Sequence, residues 1–167
     1  TFTVSETEDA DWINNWKEFF KPFRVDDSIV IKPTWETLTE KKDGDLVVEI
    51  DPGTAFGTGA HETTKLCIWN SKKYLKQGDA VFDVGCGSGI LSIAALRLGA
   101  ASAIGVDIDP KAESIARENA AYNGFSSPAF TALTGNVTED KDLMGKLSQN
   151  HYDVVLVNIV ADVIIGL

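Results

Sequence analysis

Cysteine is scarce in this chain, with two in 167 residues, Cys67 and Cys86. One falls in a helical pattern and one in a turn. They make no disulfide framework and point to reduced thiols in the cytoplasm. Long hydrophobic runs are missing too. The longest, such as Val154 to Val157, fall far short of the roughly 20 residues that cross a bilayer, so no membrane partner is expected. The opening residues, Thr1 to Asp11, are acidic and lack an apolar signal core, so no secretion signal is read there. Positive charge is short as well: 15 Lys and Arg stand against 25 Asp and Glu, a net charge of −10. Phosphate backbones are gripped by Lys and Arg, so direct nucleic-acid binding is not expected. An acidic surface serves solubility first and a basic protein partner second. The rest of the composition is ordinary, with 44% hydrophobic and 24% charged residues, enough for one packed core.

Glycine placement is not ordinary. Asp83-Val84-Gly85-Cys86-Gly87-Ser88-Gly89 follows a short apolar run, Ala80 to Phe82, and opens into a helix-patterned run, Ile90 to Leu98. Strand, glycine turn and helix in that order form a nucleotide-binding corner. The spacing is G-x-G-x-G. A dinucleotide fingerprint wants its third glycine at position 90, where Ile90 stands, which speaks against a nicotinamide cofactor. Asp83 ends the strand just before the glycines. A carboxylate there repels a pyrophosphate and attracts a cation. The cationic ligand with an adenosine end that suits this corner is S-adenosyl-L-methionine, which carries an ammonium and a sulfonium. The turn lets backbone pass close to the ligand, and the helix N-terminus offers free N–H groups to a carboxylate. Gly85 and Gly87 are therefore candidate cofactor contacts, with Asp83 beside them for the ammonium.

From residue 80 onward the pattern alternates. Val81 to Val84, Ala101 to Val106, Ala129 to Leu133 and Tyr152 to Val157 read as strands, the last fully buried. Gly87 to Leu98 reads as a helix, and another starts at Asp109-Pro110 and stops at Asn123-Gly124. Such alternation argues for an α/β parallel sheet flanked by helices. The opening 50 residues differ. Asp11 to Phe20 reads as an amphipathic helix, and Ser28–Lys32 and Asp45–Ile50 as the strands of a β-hairpin with Asp43-Gly44 as its turn signal. The expected organisation is thus a linker helix and hairpin over 1–50 and a cofactor-binding domain over 51–167. Only four parallel strands are visible in the second part. A sheet of this kind normally has a second half, so the chain is expected to be a piece of a longer protein, cut in its C-terminal half.

Further candidates follow from position. Asp107 ends the second strand, 18 residues beyond Gly89, about where a carboxylate meets ribose hydroxyls in this architecture. Asn158 follows the fourth strand, at the end that lines the ligand crevice; its carbonyl can accept from an amine, and its other reading is a helix cap. The loop from Asp51 to Thr64 carries three glycines and four threonines and reads as a polar lid, with Thr63 or Thr64 capping the next helix. His61 within it is a structural hydrogen-bonder first and a general base second. No metal-ligand set and no general base are assigned.

Four stretches together carry a resemblance: Asp11-Trp12 to Lys21-Pro22, Asp51-Pro52-Gly53 to His61-Glu62-Thr63-Thr64, Asp83 to Ser92, and Asn158-Ile159-Val160-Ala161. They resemble class I S-adenosyl-L-methionine-dependent methyltransferases and, more narrowly, the bacterial ribosomal protein L-eleven methyltransferases. Ala60, Glu62 and Val160 depart from that family's usual Thr, Pro and Leu. The resemblance implies a Rossmann-like fold, cofactor contacts at Thr64, Gly85, Asp107 and Asn158, and methylation of amino groups on a ribosomal protein. It also implies a separate domain, outside these residues, that grips that protein. A methyltransferase for another amine, or a cofactor-binding module without catalysis, are the alternatives. No oligomeric state is assigned.

Overall fold

Ile29-Val30-Ile31-Lys32-Pro33 is rich in β-branched side chains and forms a strand, β2 (Ile29–Pro33), buried along its whole length. It lies between β1 (Phe23–Arg24) and β3 (Leu46–Ile50) in a three-stranded sheet. The structure, a computed structural model, describes residues 17, 20–53 and 61–165. The expected Asp11–Phe20 helix therefore falls almost wholly outside the described residues.

β1 pairs antiparallel with β2, but β2 and β3 run parallel, with Ile29 beside Leu46 and Pro33 beside Ile50. This corrects the expected hairpin: both strands stand where expected, and their pairing is parallel. Asp43-Gly44 does turn, with the Asp45 N–H donating to Lys42 O at 3.2 Å. That turn closes no hairpin. It aims a chain that has already travelled back from Pro33 to the start of β2, where the Leu46 N–H donates to Ser28 O at 2.8 Å. Arg24 fastens the return, forking onto Asp45 at 2.8 and 2.7 Å and reaching Glu40 O at 3.1 Å. The same fork holds the Asp45 carboxyl down at about 2.

Downstream the chain alternates: α1 (Glu62–Tyr74), β4 (Ala80–Val84), α2 (Ile90–Arg97), β5 (Ser102–Asp107), α3 (Pro110–Tyr122), β6 (Phe130–Thr134), α4 (Lys141–Leu147), β7 (Val154–Val157) and α5 (Ala161–Ile164). All four strands are parallel, in the order β6-β5-β4-β7. The chain builds outward from β4 through β5 to β6, then returns to the far side of β4. That reversal between β4 and β7 is the switch point where open α/β sheets form ligand crevices. Asp109 caps α3 by accepting from the Lys111 N–H, with Pro110 at the first helical position. β7 is not the fully buried strand expected. Among the described residues it has one strand neighbour, β4, and Val155 is 56% exposed.

α2 is the layer that joins the two sheets. It packs on β3, β4 and β5, and Ile90 to Leu96 are all buried. One cluster runs from Ile29, Ile31, Val48 and Ile50 of the small sheet through Ile93 to Val81 and Ala103 of the large one. Burying each large aliphatic side chain contributes about 1.5–3 kcal/mol.

Candidate functional site

The glycine turn is built of backbone that few other residues tolerate. Gly85 has φ +72° and its N–H, like that of Cys86, donates to Val106 O, at 2.8 and 3.1 Å. A Cβ on Gly85 would overlap Ile159 Cγ2. Gly89, at φ +78°, caps α2, and a Cβ there would lie 3.0 Å from that of Ala116 on α3. The turn is thus clasped between the segment after β7 and the body of α3.

Above it lies a cavity of about 560 Å³ at the C-terminal ends of the four parallel strands. Thr64, Gly85, Gly87, Asp107 and Asn158, five of the six residues assigned from sequence, line it. Asp107 accepts from the Gly87 N–H through Oδ2 at 2.8 Å and from the Asp109 N–H through Oδ1 at 3.0 Å. Each carboxylate oxygen has two lone pairs, so both keep a site for an incoming hydroxyl. Asn158 Nδ2 donates to Thr64 Oγ1 at 3.1 Å, which joins the end of β7 to the start of α1 and turns Oδ1 away as an acceptor.

Asp83 is placed differently from the expected ammonium partner. It does not line the cavity; it is fully buried beneath the turn, its Oδ2 accepting from the Ser92 N–H at 3.1 Å and hydroxyl at 2.7 Å. The reason is strand alternation. Asp83 shares the sheet face of Val81, and that face is covered by α2. Its Oδ1 has no hydrogen-bond partner. Burial pushes the acid up to about 6, and the Asp107 charge adds to the rise.

Asn136 and Val137 also line the cavity, and the sequence reading does not single them out. The strand-end rule finds them once β6 is placed, since Gly135, Asn136 and Val137 run on from Thr134 and all three line the cavity. His61 lines the cavity mouth and caps α1, its Nδ1 accepting from the Thr63 N–H at 3.3 Å. The same nitrogen lies 2.8 Å from Thr63 Oγ1, so Thr63 holds the ring at the start of α1. Cys86 stays a thiol: burial, then the charges of Asp83 and Asp107, push its ionisation far up. Among the described residues no cluster of His, Cys, Asp and Glu could hold a metal ion, and no helix is long and apolar enough to cross a membrane.

Comparison with known proteins decides which family built this cavity. The model of the family described as ribosomal protein L11 methyltransferase (PrmA) matches residues 1–167. The chain belongs to the ribosomal protein L11 methyltransferase family. A relative of that name from Lachnoclostridium phytofermentans is 58% identical over 178 aligned residues, covering 99% of this chain and 54% of the relative. One from Lachnospira eligens is 51% identical, covering 98% of this chain and 51% of its own length. This member of the L11 methyltransferase family therefore spans about half the length of the curated relatives it matches. The crystal structure of a ribosomal protein L11 methylase from Lactobacillus delbrueckii subsp. bulgaricus matches with a TM-score of 0.74 at 31% identity, covering 87% of this chain and 69% of that one. The Rossmann-like methyltransferase class expected from sequence is thus the fold that an L11 methyltransferase family member has.

Proposed function

We propose that this chain is the cofactor-binding core of an S-adenosyl-L-methionine-dependent N-methyltransferase acting on amino groups of ribosomal protein L11. The observation that carries the chemistry is the cavity in which the glycine turn, Asp107, Asn158 and Thr64 meet. The name its relatives bear carries the substrate.

The residues fit that cofactor. A cavity of about 560 Å³ takes a ligand of its size. Asp107 has acceptor sites left for two ribose hydroxyls, and Ile108 and Val137 give a flat base apolar walls. Asp83 and Asp107 set a negative potential that suits a cation. When bound, S-adenosyl-L-methionine supplies a methyl group on a sulfonium, delivered by in-line displacement.

The chain's own task is to hold and orient. A lysine acceptor must lose its proton first, and at pH 7 that costs roughly 4–5 kcal/mol for an ordinary pKa near 10.4. A desolvated, oriented site offsets this without a strong base. Asn158 suits the orienting role, because its amide nitrogen is engaged by Thr64 and its carbonyl is free to accept from an amine. The net charge of −10 complements a basic ribosomal protein, a partner that would place the protein in the cytoplasm.

Titration calorimetry with S-adenosyl-L-methionine tests the reading. Binding is expected, and Asp107→Ala should weaken it by roughly 1–3 kcal/mol. Equal affinity of the two proteins removes Asp107 from the site. Radiolabelled methyl transfer to purified ribosomal proteins tests the substrate, and label on another protein would redirect it.

A further inference from the structure

Asn119 lies on α3 and Asn123, one turn further on, is its C-cap; both are buried, and the helix's other buried positions are alanines. Their side chains do different work. Asn119 Nδ2 donates to Ser88 O at 2.9 Å, inside the glycine turn. Its Oδ1 accepts from the Asp51 N–H at 2.8 Å, where the stretch leading from β3 to Thr63 and Thr64 begins. One amide, paired at both ends, thus joins the glycine turn on the cavity wall to the residue that follows β3. Asn123 grips β3 alone: it accepts from the Glu49 N–H at 2.9 Å and donates to Glu49 O at 2.7 Å, with a second bond to Asn119 O at 2.8 Å.

We propose that Asn119 is a positioning residue for cofactor binding, fixing the glycine turn against the end of β3. The proposal rests on the cofactor reading above. An amide fixed at both ends has one orientation. Cutting either end removes a hydrogen bond that holds its segment against α3, and that segment is then freer to move. Ala116, one turn earlier on α3, already touches Gly89, so a shift of the turn is felt along the same helix.

Calorimetric titration of S-adenosyl-L-methionine into wild type, Asn119→Asp and Asn123→Ala, with urea denaturation of each, tests this. Asn119→Asp keeps the shape and loses the donor to Ser88. It should bind at least roughly tenfold more weakly. Asn123→Ala should lose comparable stability yet bind within about twofold of wild type, since it grips β3 and not the turn. Wild-type affinity in Asn119→Asp overturns the proposal. So does a loss of affinity in Asn123→Ala equal to that of Asn119→Asp, because stability alone would then explain both. Should Asn119→Asp fail to fold, NMR of the wild-type chain decides. The Asn119 side-chain amide and the Asp51 N–H should shift together during the titration, and resonances that stay still overturn the proposal. A wild-type chain that binds no cofactor removes the underlying reading, a result distinct from wild-type binding that Asn119→Asp leaves unchanged.

Discussion

Asp83 has no exposed atom, two hydrogen bonds from Ser92 to one oxygen, and none to the other. Burial raises its folded acid to about 6, against about 3.9 in an unfolded chain. Between those values the folded chain holds the proton more tightly. Its contribution to stability is therefore complete below about pH 4 and is lost as pH rises through about 6. Asp83→Asn cannot titrate. Relative to wild type, it should gain on the order of 2–3 kcal/mol between pH 4 and pH 7, read as urea midpoints at each pH. Carboxylates that do not act on Asp83, such as Asp45, titrate in both proteins and cancel in the difference. A stability difference flat across that range would mean that Asp83 is not the buried acid described. Asp83 also shows where the sequence runs out at this scale. Its position before the glycines is legible, but which sheet face α2 covers is not, so a residue read as facing the ligand lies under the turn. Asp107 and Asn158 were legible because each is the last or next residue of its strand, and strand ends meet the crevice whichever face is covered.

At the scale of elements, the strands and helices from Ala80 to Val157 could be read because each apolar run is short and closed by its own signal. Asp109-Pro110 opens α3 and Asn123-Gly124 ends it. The pairing of β2 with β3 could not. Two apolar runs with an Asp-Gly between them carry the same local signal whether the chain doubles back or crosses over. What decides is the fork of Arg24 on Asp45, a contact between residues 21 apart. The glycine turn makes a sharper prediction. Gly85→Ala meets two obstacles, the positive φ and the overlap with Ile159. It should destabilise by about 1–3 kcal/mol and weaken cofactor binding. Adding Ile159→Ala removes the overlap but not the φ, so the double variant should recover only part of the thermal midpoint that Gly85→Ala loses. Full recovery would reduce the requirement for glycine to a matter of space.

For the whole molecule the question is whether the two sheets open together. The change of pattern near residue 50 suggests a small N-terminal unit joined to a larger one. The core runs without interruption through that break, because Ile50 and Val48 share one cluster with Ile93, Ala94 and Val81. Ile93 is 0% exposed in α2, the helix that packs on both sheets. A side chain shared in this way couples the stability of the elements it touches. Hydrogen exchange measured amide by amide distinguishes the cases. Val48 in β3 and Ala103 in β5 should open with the same free energy, and Ile93→Ala should lower both by an equal amount, about 2–5 kcal/mol. If β3 opened at a much lower free energy than β5, the small sheet would be a separate unit resting on the large one. If both open together, a lesion in either sheet reaches the glycine turn through α2, and affinity for the cofactor falls with the stability of the whole.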